Sequence, residues 1–451
     1  MKPKDSKVRD LFINFCLFGF VFFVSVIMVE ATLRIFLTKP SRPYYPRYYF
    51  KLDPFAGYDI AKRFITTKHI FPDSRHRVWS NEIGCFDKSC KGIDNNYIIL
   101  LGDSYVWGFT PFEYNYGSLL EKYLGYRVLK CGVPGYGTKQ ELIKLKKILK
   151  EMKNRPRLII VSYCLENDFI NDYLFPLYTV IDGFLLGKYK FKDITTGERE
   201  IIPDDKLIEK YEVYKVSLTH NIPTLEQIGI NKYIRIWLCK HSEIYKILRQ
   251  NKIVRRLAKK IGLHLLEPQP HSQMDKYSYE CPKITPFTII SKYTYLEKAW
   301  EEHLRNLEEL RKYTTNNGLA LLIVAIPAAG QVYDFLKDKI YCEETRKDYD
   351  WGQPNRILQK YSMENNVSFL DLTPYFRRCA NQTVRKSLNS RKDLFYPNSL
   401  HFNVRGNELA ALLISKHIIK YNLIDISAKK DKEMAIDDKL NFFKNKSVWP
   451  N

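Results

Sequence analysis

The sequence predicts an α/β fold in which a parallel sheet carries helices on its faces. Three observations carry that expectation. Short, almost wholly apolar runs such as "NYIILLG", "PRLIIVSY" and "LALLIVAIP" have the length and composition of buried strands. Between them lie longer stretches with apolar residues at helical spacing, "FEYNYGSLLEKYLG" and "TKQELIKLKKILKEM". The two kinds of segment alternate, as right-handed crossover units require.

From about residue 95 the elements follow in order. "NYIILLG" is a first buried strand, and the helix after it stops at Gly125. "YRVLKCG" is a second strand, "TKQELIKLKKILKEM" a basic amphipathic helix and "PRLIIVSY" a third strand. The rhythm breaks over about 171–290. There "YTVIDGFLLGKYKF" reads as a hairpin with "TTGE" as a later turn, and "NKYIRIWLCKHSEIYKILRQNKIVRRLAKKIG" as a long basic helical stretch. That stretch suits a helix pair over the core, with a membrane surface or an acidic glycan as the alternative contact. The pattern resumes with the helix "YLEKAWEEHLRNLEELRKYTTNNG", the strand "LALLIVAIP", the helix "PNRILQKYSMENN", the strand "VSFLDL" and a last helix "VRGNELAALLISKHIIKY". The tail, 426–451, is rich in charge and is expected to be loosely ordered.

The N-terminus sets the compartment. Residues 1–10 are polar and basic, and 11–29 contain no charged side chain. A run of that length at 1.5 Å rise comes close to the roughly 30 Å of a hydrocarbon core, so 11–33 reads as a single-pass membrane anchor. Lys2, Lys4, Lys7 and Arg9 precede it, which keeps the N-terminus cytoplasmic and places the rest outside, on the periplasmic side. A cleaved signal peptide ending near "VEA" is the alternative, but the apolar run is longer than a usual signal core. Residues 34–94, opening on the Pro- and Tyr-rich "TKPSRPYYPRYYF", are expected to be an extended linker and N-terminal extension.

Charge and cysteines narrow the class. The balance of 72 Lys+Arg against 50 Asp+Glu leaves +22, yet the lysines are spread along the chain without a nucleic-acid-binding signature. An anchored domain outside the cytoplasm also faces away from nucleic acid, so no nucleic-acid partner is expected. Of nine cysteines, Cys16 lies in the apolar run. Cys85 and Cys90 are the nearest pair for a disulfide, and Cys342 and Cys379 a longer-range one. No His/Cys cluster has zinc-ligand spacing, and neither a metal nor a cofactor is expected.

Chemistry-bearing residues fall at the predicted strand ends. Asp103-Ser104 in "LGDSYVWG" ends the first strand, "GVPGYGT" follows the second, "END" follows the third, and "LHFN" precedes the last helix. Ligands of open parallel sheets collect outside the carboxyl ends of the strands. These four blocks together resemble the SGNH (GDSL) hydrolase superfamily, over roughly 95–170 and 319–420. The run "GDSYVWG…GVPGYGTKQ…ENDF…LHFNVRG" is especially similar to membrane-anchored members associated with bacterial exopolysaccharide modification.

The resemblance implies a flavodoxin-like three-layer α/β/α sandwich at 95–425, with a mainly helical insertion. It also implies a nucleophilic Ser104, a base His401, and an oxyanion hole from Ser104, Gly135 and Asn167. The implied activity is that of a serine esterase or O-acyltransferase using an acyl-Ser104 intermediate. The implied substrate is an acylated, most simply acetylated, carbohydrate, and transfer would add a membrane acyl-donor partner. The insertion aromatics Tyr178, Phe184, Tyr189 and Trp237 are expected to serve packing before sugar stacking.

Two positions depart from the pattern. Three residues before His401, where the family usually has Asp, stands Asn398, with Ser399 next; Glu166 replaces a common Gly. An amide can still accept from the imidazole. The alternatives are therefore a Ser104–His401 dyad oriented by Asn398 or a backbone carbonyl, a triad completed by Asp393 or an insertion carboxylate, or an inactive scaffold binding glycan or assembly partners.

Overall fold

The computed structural model describes residues 3–36, 45–70, 73–181, 183–193, 196–203, 207, 285–340, 347–382, 388–389 and 392–445, with scattered positions between 230 and 260. The chain forms two units, one of residues 1–40 and 208–276, the other of 41–207 and 277–451.

In the first unit, the helix Pro3–Phe36 contains the span Phe12–Leu33, long and apolar enough to cross a membrane. Glu30 near its end accepts from the Ser242 hydroxyl and the Ile244 N–H, each at 3.0 Å. Of the long basic stretch, the described helix is Lys252–Lys260, with Ile253 and Leu257 exposed.

The second unit is built on a five-stranded parallel sheet. Strands are numbered along the chain. β1 (Phe50–Asp53) and β2 (Gly57–Ile60) form one hairpin, β3 (Thr67–Ile70) and β4 (Arg75–Val78) another. β5 (Tyr97–Gly102), β6 (Arg127–Lys130) and β7 (Leu158–Cys164) enter the main sheet. β8 (Tyr178–Ile181) pairs with β9 (Phe184–Gly187), and β10 (Tyr189–Asp193) with β11 (Glu198–Ile201). β12 (Ala320–Ile326) and β13 (Ser368–Asp371) complete the main sheet in the order β13-β12-β7-β5-β6. Renumbered within that sheet the order is the 2-1-3-4-5 of flavodoxin-like folds, whose ligand crevice opens where the winding reverses. Here that point is the carboxyl end of β5, between β6 and β7.

Side chains alternate across the sheet with the period of two that strands impose. Ile98, Leu100, Val128, Ile160, Leu322 and Val324 face the helices Tyr116–Leu124 and Val404–Lys420. Tyr97, Ile99, Leu101, Ile159 and Val161 face the other way, onto Thr138–Glu151 and Thr294–Asn316. The expected three-layer sandwich is present. Helix Tyr116–Leu124 starts on an Asn115 cap and ends at Gly125 in the left-handed conformation, φ 71°, as its sequence signals.

Three expectations need correction. Residues 45–94 are no linker: β1–β4 pack Tyr49, Phe50, Tyr58 and Val78 into one aromatic cluster with Trp107, Phe109 and Tyr136 of the sheet domain. The tail forms the helix Lys429–Asn445, whose Ile436, Leu440 and Phe443 recur at helical spacing and bury into the core beside Val404–Lys420. Its many charges concealed a narrow apolar stripe. The disulfide joins Cys85 to Cys131, not Cys90. β6 delivers Cys131 beside Cys85, whereas the Cys90 thiol donates to Glu82. Cys342, the residue expected to pair with Cys379, lies outside the described residues.

Candidate active site

Four chain segments meet at the rim where the winding reverses. β5 ends on Gly102, and Ser104–Trp107 then forms a single helical turn. Gly102 has φ 153°, and a Cβ there would lie 2.4 Å from the Val106 side chain, so only glycine lets the chain turn so sharply. Asp103, fully buried, caps that turn: one carboxylate oxygen accepts from Tyr105 N–H at 2.8 Å. Its other oxygen accepts from the Asn167 amide at 3.0 Å and lies 3.3 Å from the Ser104 hydroxyl. Burial raises the Asp103 carboxyl above its usual range, against these hydrogen bonds.

The Ser104 hydroxyl lies 2.8 Å from Nε2 of His401, across 297 residues of sequence. His401 sits in a tight loop closed by the Phe395–Phe402 bridge and by Tyr396 N–H to His401 C=O at 2.8 Å. Leu400, just before it, takes φ 58°, and its carbonyl accepts from the Tyr105 phenol at 3.0 Å. The rings of Phe109 and Tyr105 enclose the imidazole, with centroids 4.0 and 4.8 Å away.

The imidazole's tautomer follows from its partners. Nδ1 lies 3.0 Å from the backbone carbonyl of Ser399, which can only accept. Nδ1 therefore carries the proton, and Nε2 presents its lone pair to the Ser104 hydroxyl. Burial pulls this histidine down to about 4, only partly opposed by the Ser399 bond, so the ring is neutral at pH 7.

The predicted residues are placed as follows. Ser104 and His401 are in contact. Asn167 reaches the same cluster but spends one N–H on Asp103. The loop of Gly135 lies against the Ser104 turn: Val133 N–H donates to Gly102 C=O at 3.0 Å. Gly135 itself has φ 79°, and a Cβ there would meet the Tyr178 ring at 2.4 Å. Tyr178 thus packs beside the site and Phe184 is buried, whereas Trp237 is exposed in the other unit.

Asn398 is not the orienter. Its amide donates to Asp73 at 2.6 Å, and the Ser399 carbonyl occupies the place at Nδ1. Asp393 does not replace it either, since its carboxylate caps Asn389 N–H at 2.6 Å. A backbone carbonyl was one of the expected orienters, and it is that of Ser399; sequence reasoning missed Asp103 as the hub between Ser104 and Asn167, and Asp73. Only Asp103 carried a local signal, as the middle letter of "GDS".

Comparison with known proteins gives solved structures of low identity. No family model and no curated protein matches the sequence. Solved structures do: a GDSL-like lipase from Bacteroides thetaiotaomicron (10% identity, 72% of this chain and 89% of that one, TM-score 0.30) is among them. So are an acetyl xylan esterase (13%, 70% and 97%, 0.31) and a carbohydrate acetylesterase family member from Sinorhizobium meliloti (13%, 73% and 99%, 0.28). At these identities and TM-scores, the roles of individual residues rest on the contacts described above.

Proposed function

We propose that this chain is a membrane-anchored serine esterase or O-acyltransferase of the SGNH type, working outside the cytoplasm through an acyl-Ser104 intermediate. One observation carries the reading: the 2.8 Å contact between the Ser104 hydroxyl and an imidazole whose other nitrogen is fixed as the proton donor. A serine hydroxyl becomes a competent nucleophile when such a base takes its proton.

Ser104 Oγ attacks the ester carbonyl carbon while its proton passes to Nε2 of His401. The oxyanion that forms is met by the N–H groups of Ser104 and Gly135 and by the second N–H of Asn167. Collapse expels the alcohol, which leaves with the proton held on Nε2. A second acceptor, water or a sugar hydroxyl, then loses its proton to Nε2 and takes the acyl group from Ser104. Water gives hydrolysis and sugar gives transfer.

The preference for an acetylated exported polysaccharide rests on the motif resemblance. The apolar span Phe12–Leu33 and the Cys85–Cys131 disulfide support the compartment, since disulfides persist in oxidising surroundings. A rival reading, a retired scaffold that binds glycan, draws on the carbonyl in place of a carboxylate at Nδ1. The test is p-nitrophenol release from p-nitrophenyl acetate by the full-length protein in detergent. A burst in the wild type that Ser104→Ala abolishes supports the enzyme. No burst, or one that Ser104→Ala leaves intact, overturns it.

A further inference from the structure

Asp73 belongs to the turn between β3 and β4, 326 residues before the loop it touches. One carboxylate oxygen accepts from the Asn398 side-chain amide at 2.6 Å, with the Asn398 N–H at 3.4 Å. The other accepts from the Ser399 N–H at 2.9 Å. Ser399 is the residue that orients the base: its carbonyl takes the His401 Nδ1 proton at 3.0 Å, and its hydroxyl takes the His401 N–H at 3.2 Å. We infer that Asp73 is the positioning residue for His401, holding the imidazole through the backbone of Ser399 in place of a carboxylate on the ring.

The neighbouring residue reinforces the assignment. The Ser74 hydroxyl donates to the Phe109 carbonyl at 2.6 Å, and the Phe109 ring packs on the imidazole. Two consecutive residues of one turn therefore hold the two segments that carry nucleophile and base. A loop that needs anchoring is also visible, because Leu400 between Ser399 and His401 sits in the left-handed region that a leucine adopts only under constraint. A carboxylate grips two consecutive residues of this loop with charge-assisted bonds, which are stronger than neutral ones. Asp73 is also close enough to help raise the Tyr396 phenol, which burial chiefly pushes up to about 12.

The inference rests on the reading of Ser104 and His401 as nucleophile and base, and its test keeps the two apart. The full-length protein, labelled with 15N-histidine, is compared with Asp73→Ala and Asp73→Glu, using His401→Gln to assign the ring signals. The expected result is a single Nδ1–H tautomer for His401 in the wild type, mixed tautomers in Asp73→Ala, and recovery of one tautomer in Asp73→Glu. In parallel, Asp73→Ala lowers kcat for p-nitrophenyl acetate by about 10²-fold, the cost of a misplaced catalytic group, with KM little changed. Asp73→Glu regains most of it, which a loss of folding would not allow. Should Asp73→Ala fail to fold, Asp73→Asn replaces it, keeping one acceptor oxygen and removing the charge. An unchanged tautomer and kcat in these variants overturns the inference. An inactive wild type with the expected tautomer shifts overturns the esterase reading and leaves the positioning role standing.

Discussion

A base without a carboxylate should show itself in the pH–rate profile. Burial holds His401 near 4 instead of 6.5, a difference worth about 3 kcal/mol against forming its imidazolium in the free enzyme. kcat/KM follows the free enzyme's neutral imidazole, so its acid limb should fall half-way near pH 4. At pH 5.5 such a histidine is still almost wholly neutral, whereas one at its ordinary value would be only about a tenth neutral. Activity should therefore be flat from pH 7 to about 5. The same displacement makes the base weak, so the plateau should lie well below that of carboxylate-assisted triads. The assay is kcat/KM for p-nitrophenyl acetate from pH 3.5 to 8 at constant ionic strength, with the His401 ring titrated by NMR in the same buffers. The NMR arm is needed because Asp103, raised by burial, also touches Ser104. A limb centred between pH 6 and 7 that tracks the His401 signals would refute the half-buried, carbonyl-oriented base.

Three further outcomes follow from named contacts. Glu141 is buried with neither carboxylate oxygen hydrogen-bonded, and burial, then Asp103 and Asp172, hold its carboxyl well above 4.5. The folded state keeps a proton there that the unfolded chain releases above 4.5, so this group's contribution weakens as pH rises; Glu141→Gln should stabilise at pH 8 and make little difference at pH 4, read by urea unfolding. Cys85 and Cys131 close a loop of sequence separation 46, so Cys85→Ser/Cys131→Ser should lose about 4 kcal/mol in the same measurement. Asn398→Asp, which resembles a repaired triad, should fail to raise activity and should lower the melting temperature at pH 7, because its carboxylate would face that of Asp73 where the amide now sits at 2.6 Å.

The sheet was legible because its strands are continuous apolar runs, and β5, β7 and β12 fall where those runs lie. Ser104 and His401 were legible because each stands beside such an element at its end. What lay hidden was non-local or carried by the backbone. A carbonyl such as that of Ser399 has no letter in the sequence, since every residue has one. Asp73 sits in a polar turn and acquires meaning only from a partner 326 positions away. Nearness in sequence favoured Cys90 as the partner of Cys85, but strand pairing set β6 beside β5 and brought Cys131 instead. In the tail, charge count outweighed the spacing of Ile436, Leu440 and Phe443. The short helices Ala329–Val332 and Thr373–Cys379 were missed because neither is long enough to display a period.

Residues 45–94 can supply a positioning group only if they are themselves held to the sheet domain within about half an ångström. The structure shows how. Cys85 is bonded to Cys131 at the end of β6, and Asp87, buried, accepts from Arg127 at 3.0 Å and from Lys130 N–H at 2.7 Å. Lys144, itself buried, donates to Asp59 at 2.7 Å and to Gly84 C=O at 2.8 Å. From that base the extension reaches three of the four blocks at the rim. The Tyr49 hydroxyl accepts from Trp107 at 3.0 Å beside the nucleophile turn, and the Tyr58 phenol holds Pro134 C=O at 2.7 Å beside Gly135. Asp73 grips the loop of His401. Removing one partner of a buried pair strands the other's charge, a large penalty, and Lys144 is such a charge, so removing Asp59 should loosen the rim along with the extension. The sheet brings Ser104 and His401 together, and the extension is bonded to the segments that carry them.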